Sequence, residues 1–199
     1  MQATPNASPA PNDEADLLAR CRRGDRSAFR ALYVRHFRMV HRTARQLGTP
    51  PAELDDVSQE VFSLAFRKLD HFGAGNFAHW IHRICANVVN DHHRKRRVRE
   101  AFGRFWGAEP EEPVANGRGP EAEVERTQAE RQVAKILSRM RPKQREVFAL
   151  FELEGLSGDE IAERVGCPVN TVWTRLHHAR KDFVRIGVKR GWIDERGEA

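Results

Sequence analysis

Gly155-Leu156-Ser157-Gly158-Asp159-Glu160-Ile161-Ala162-Glu163-Arg164-Val165-Gly166-Cys167-Pro168-Val169-Asn170-Thr171-Val172 reads as two short helices joined by a tight turn. Ser157 and Glu160 stand at capping-box spacing, where hydroxyl and carboxylate each satisfy a free backbone N–H. Ile161, Ala162 and Val165 make an apolar stripe. Gly166 can take the positive φ that ends a helix, and Pro168 suits the first position of the next. Val172, Leu176, Ala179 and Phe183 then recur at spacings of four, three and four as a core face. That leaves Asn170, Thr171, Trp173, Thr174, Arg175, His177, His178 and Lys181 outward. A helix–turn–helix showing Asn, Thr, Arg and Lys on its second helix suits base edges and phosphates in a DNA groove. An ordinary helical hairpin with a solvated charged face is the alternative. The short turn and the basic composition favour DNA.

The rest of the chain fits that partner. Its 199 residues carry a formal net charge of +6, which favours a polyanion. No apolar run is long enough to span a membrane, and the first dozen residues resemble a disordered tail more than a signal peptide. Cys21, Cys85 and Cys167 are odd in number and far apart, which fits reduced thiols in a cytoplasmic protein.

Apolar positions recur at three and four throughout, so the expected fold is all-α: two small helical domains joined by a flexible acidic linker, the second a helix–turn–helix. Asn12 is the expected cap of a helix through Leu17, Leu18 and Cys21 that ends near Gly24. Asp25 or Ser27 opens the next, with Phe29, Leu32, Tyr33, Val40, Ala44 and Leu47 inward. Pro51 starts a third, with Val57, Val61, Leu64, Ala65 and Leu69 on its stripe. A fourth runs from about Asn76 to Arg97 around Phe77, Trp80, Ile81, Ile84 and Val88. Residues 94–104 then carry a net charge of +5, whereas 109–125 hold six Glu and a net charge of −5. Four Gly and three Pro between Gly103 and Pro120 break the helical pattern. The expected division is a tail (1–12), a first domain (13–102), a linker (103–120), a helix–turn–helix domain (121–186) and a second tail (187–199).

Three stretches in series resemble the extracytoplasmic-function (ECF) sigma factors of bacteria. They are Leu17–Arg20 with Gly24–Tyr33; Asp55–Phe62 with Phe77–Asp91 and the Arg94–Arg97 basic run; and Arg141–Phe148 with Glu154–Ser157 and Thr171–Leu176. The resemblance implies a first domain that binds core RNA polymerase and the −10 promoter element, and a second that reads the −35 element. It places polymerase docking on Asp56, Gln59, Glu60 and Ser63, an acidic ridge opposite the apolar stripe of the third helix. It places −10 contacts on Phe72, Asn76, Arg83, Asn87, Arg94, Lys95, Arg96 and Arg97. Asn87 matches the residue used for a flipped base, and His71–Asn76 matches the specificity loop. Trp80 could stack on a base but falls on the apolar stripe, so it is expected in the core. The −35 contacts fall on Asn170, Thr171, Trp173, Thr174, Arg175, His177, His178 and Lys181. Arg175 is the candidate bidentate guanine reader. Trp173 and His177-His178 stand where the family carries basic residues. Residues 107–125 fit the family's connector, which threads the RNA exit path. An anti-sigma factor is a further partner that the family suggests.

Other chemistries fare worse. His79, His82 and Cys85 sit at i, i+3 and i+6, but ligands so spaced drift around a helix and no fourth is near, so no metal is expected. No nucleophile, phosphate-cradling loop or framed carboxylate pair indicates an enzyme, and no cofactor is expected. The functional rival is a one-component helix–turn–helix regulator, which predicts a dimer on duplex DNA without polymerase.

Overall fold

In the computed structural model residues 11–105 and 121–193 are described, and every regular element among them is helical. The expected N-terminal disorder, most of the acidic connector and the last six residues lie outside the described residues. The first domain comprises α1 (Pro11–Arg22), α2 (Arg26–Gln46), α3 (Leu54–Arg67) and α4 (Phe77–Phe105). α1 begins at Pro11, so Asn12 lies inside the helix it was expected to cap; proline's fixed φ suits a helix's first turn. Asp25 caps α2, its Oδ1 accepting from the amides of Ser27 (2.8 Å) and Ala28 (3.3 Å). Hydrogen bonds from the Ser27 hydroxyl and the Arg20 guanidinium hold this carboxyl below the usual range. α4 runs eight residues past the expected Arg97 and through Gly103, where the linker was expected to begin. Arg99, Glu100 and Ala101 are good helix formers, and one glycine costs only about 1 kcal/mol.

One core joins these helices. Leu32, Val40 and Ala44 of α2, Val57, Val61 and Ala65 of α3, and Phe77, Ile81 and Cys85 of α4 are buried together. Trp80 packs against Phe72 and Phe77, as its place on the stripe foretold. Burial pushes the Cys85 thiol up to about 12, so Cys85 serves as a small hydrophobe.

The second domain holds α5 (Glu121–Leu137), α6 (Pro142–Phe148), a wide π turn over Ala149–Leu153, α7 (Gly158–Val165) and α8 (Val169–Lys189). The expected boundary at residue 186 falls inside α8. Beyond α8 the chain turns at Gly191 and folds back: Ile193 packs on Gly187, where a Cβ would come within 2.4 Å of it. The Arg139 guanidinium lies 5.0 Å over the Trp192 ring. Residues 187–193 therefore belong to this domain.

The two domains touch. Arg145 of α6 is almost wholly buried and donates to the Leu137 carbonyl (3.2 Å), at the end of α5, and across the boundary to Asn90 Oδ1 of α4. Beside it, His82 Nε2 meets Glu146 Oε1 at 3.2 Å. A Cβ on Gly48 would stand 2.8 Å from the Ala134 carbonyl, so the end of α2 lies directly on α5. Arg45 pairs with Glu130, and His79 lies 3.7 Å from Glu163 of α7. A buried guanidinium needs acceptors, and Arg145 finds one on each side of the boundary, the Leu137 carbonyl and Asn90 Oδ1.

Candidate nucleic-acid interface

The local chemistry of the helix–turn–helix follows its sequence closely. Ser157 Oγ accepts from the Glu160 amide (3.3 Å) while Glu160 Oε2 accepts from the Ser157 amide (2.8 Å). Hydrogen bonds from the Ser157 amide and the Ser157 hydroxyl hold the Glu160 carboxyl below its ordinary value. Gly166 ends α7 with φ +68° and ψ +50°, whereas Pro168, expected at the first position of α8, stands one residue before it and makes no side-chain capping bond. Val172, Leu176 and Ala179 are buried beneath. Arg164 binds Glu154 (2.9 Å) and Arg180 binds Glu152 (2.7 Å), tying both helices to the π turn.

The opposite face of α8 carries the expected set. Asn170, Trp173, Thr174, His177, His178 and Lys181 are exposed, while Thr171 and Arg175 are half-buried. Thr174 Oγ1 donates to the Asn170 carbonyl at 3.0 Å. Arg175 Nη1 donates to Cys167 Sγ at 3.4 Å, which holds one branch of the fork against the turn. Cys167 itself is only half-buried. The rings of His177 and His178 lie 5.6 Å apart.

A second polar face lies on α4. Arg83, Asn87 and Arg94 follow at spacings of four and seven, all exposed, with Lys95 and Arg97 beside them. Arg96 departs from this set: it turns inward, donating to His93 Nδ1 at 3.0 Å and lying 3.8 Å from Glu100. Phe72 departs further. It is buried against Phe77 and Trp80, at 5.4 and 5.3 Å between centroids, and offers no face to a base. Its ring closes the bottom of the core, a role that the polar loop around it obscured. Asn76 is exposed, but its Oδ1 accepts from the His79 amide at 3.2 Å and caps α4. On α3, Asp56, Gln59 and Ser63 are exposed, whereas Glu60 lies 2.8 Å from His92 of α4. The residues spaced for a metal have separate partners: Glu163 for His79, Glu146 for His82 and the Val40 carbonyl for Cys85.

Sequence reasoning missed the third face of α4. His82 and His93 are buried on it, His82 beside Glu146 of the second domain and His93 on the end of α2. Their spacing was visible in the sequence, but histidine is a polar residue that gives no local signal of burial. His93 Nε2 donates to the Leu47 carbonyl at 2.9 Å, and burial beside Arg145 drives its pKa far below the ordinary value.

Family models described as Sigma-70 region 2 and Sigma-70, region 4 match residues 32–99 and 130–183. The RNA polymerase sigma factor NccH of Alcaligenes xylosoxydans xylosoxydans is 32% identical over 175 residues, covering 87% of this chain and 94% of that one. The ECF RNA polymerase sigma-E factor of Escherichia coli K12 is 31% identical, covering 83% and 89%. The chain belongs to the ECF sigma factors. CnrH of Cupriavidus metallidurans, another RNA polymerase sigma factor, is 35% identical over 84% of this sigma factor and 92% of its own length. The solved structure of CnrH in complex with the cytosolic domain of CnrY aligns with a TM-score of 0.57 at 27% identity, covering 87% and 96%. The sigma factor RpoE of Bartonella quintana, solved with the anti-sigma factor NepR, aligns with a TM-score of 0.54 at 21% identity and shares the fold. The two described faces therefore belong to a sigma factor serving transcription initiation. Among the described residues no helix is long and apolar enough to cross a membrane.

Proposed function

We propose that this sigma factor docks on core RNA polymerase through the α3 ridge of Asp56, Gln59 and Ser63, with Glu60 at its edge. It holds the −10 element on α4 and reads the −35 element with α8. The supporting observation is the pair of exposed polar faces on separate domains, Arg83-Asn87-Arg94 and Asn170–Lys181. A phosphate-and-base reader on each domain suits two DNA elements at once. Asn87 is the candidate for a base taken out of the stack, its amide offering paired donor and acceptor. Arg83, Arg94, Lys95 and Arg97 supply phosphate contacts, and Arg96 serves the fold instead. The protein acts in the cytoplasm and does no catalysis of its own. The likeness to CnrH, which is solved in complex with CnrY, supports a protein partner besides polymerase, in the role of an anti-sigma factor.

The test is affinity for core polymerase. Asp56→Arg reverses an exposed charge on the ridge and should weaken binding at least tenfold with unchanged helix content, because like charges then meet at the interface. Asp56 is preferred to Glu60, whose contact with His92 gives it a structural role as well. Unchanged affinity in a folded Asp56→Arg protein would overturn the docking surface.

A further inference from the structure

The geometry points to Trp173 as a reader of a thymine methyl group in the −35 element, an inference that rests on α8 being the helix that enters the groove. Trp173 is 47% exposed, unusual for a side chain whose apolar surface gains by leaving water. It does not swing freely. Its ring packs on Gly158, where a Cβ would come within 2.5 Å of Cζ2, so only glycine admits it there. Phe151 meets it edge-on, with centroids 5.7 Å apart and planes at 74°. The indole is thus clamped between α7 and the π turn, and its remaining surface is offered to solvent.

Its place on α8 gives that surface a target. Trp173 is the fifth residue of the helix, in the half that enters a major groove. Asn170 and His177, three before and four after, share its face, and all three are exposed. An uncharged ring among hydrogen-bonding neighbours gains little from phosphate. The apolar group on the major-groove edges is the C5-methyl of thymine. A ring already fixed in place loses little freedom on meeting it, so the contact is cheap in entropy.

The experiment removes that methyl alone. Holoenzyme formed with the full chain selects −35 sequences from a randomised segment, and each thymine in the selected element is then replaced by deoxyuridine. One replacement should weaken wild-type binding about fourfold, the worth of one methyl withdrawn from water. The same replacement should be neutral with Trp173→Ala and partly felt with Trp173→Phe. Neutral replacements throughout in the wild type would overturn the inference, as would a methyl effect that survives Trp173→Ala. A uniform loss for Trp173→Ala with a shallower salt dependence would also overturn it, showing that the indole N–H serves a phosphate. If Arg175→Ala still relaxes a selected base preference, only the methyl reading falls. If no preference is selected at all, the assignment of α8 falls with it.

Discussion

The contact between Arg145 and Asn90 should appear as a measurable coupling between the two domains in solution. Arg145 is 1% exposed, and its pKa, lowered to about 10 by burial, still leaves it a cation at neutral pH. A hydrogen bond to a charged group contributes about 1.5–3 kcal/mol. Asn90→Ala removes one such bond and should cost that amount, or about 3–12 °C in Tm for a chain of this size. Arg145→Ala removes it too and also strips the Leu137 carbonyl of a donor, so about 3–5 kcal/mol is expected. The double variant should therefore cost less than the sum, with a coupling of about 1.5–3 kcal/mol. Chemical denaturation of the four full-length proteins, followed by far-ultraviolet circular dichroism, measures each quantity. If the domains stood apart in solution, Asn90→Ala would be a surface change costing less than about 0.5 kcal/mol, and the coupling would vanish. That result would refute the closed arrangement.

Three other outcomes follow from the geometry. His93 is held neutral in the fold, so the unfolded chain binds the extra proton first; stability should be full above about pH 6.5 and fall by up to about 1.4 kcal/mol per unit below it. Denaturation midpoints at pH 7.0 and 5.5 should show that slope in the wild type and a flatter one in His93→Gln. Gly48 has φ +85° and lies against the Ala134 carbonyl, so Gly48→Ala should lose about 2–4 kcal/mol from strain and overpacking. Small-angle scattering should also show a larger radius for that variant. In a −35 base scan at two salt concentrations, Arg175→Ala should flatten the preference at one base pair. Lys181→Ala should lower affinity on all sequences alike and reduce the salt slope by about one unit.

The parts of the fold set by local rules were legible from residue types alone. Ser157, Glu160 and Gly166 gave both ends of α7, and the start of α2 was narrowed to Asp25 or Ser27, of which Asp25 is the cap, because capping needs only neighbours along the chain. The helix–turn–helix face on α8 was readable for the same reason. What could not be read depends on the arrival of a second surface. Arg145 looks like any solvated arginine until α4 brings Asn90 beside it. Phe72 sits in a loop of Gly, Ala and Asn, and only Phe77 and Trp80 explain its burial. Arg96 shares a basic run with Arg94, Lys95 and Arg97, but helical rotation turns it toward His93. Trp192 carries no local signal for its stacking beneath Arg139.

α4 carries three unrelated duties on one rigid rod about 43 Å long. Ile81, Cys85 and Val88 hold the first domain together, Arg83, Asn87 and Arg94 look outward, and His82, Asn90 and His93 turn toward the second domain. Each face can change its side chains without consulting the others, but none can change the rod's length alone. A single residue inserted after Asn87 would turn everything beyond it by about 100°, swinging Asn90 out of reach of Arg145 and Arg94 off the outward row. Length variation among chains of this architecture should therefore collect in the 68–76 loop and in the connector. Residues 77–97 act as a vernier whose graduations are read by three neighbours at once.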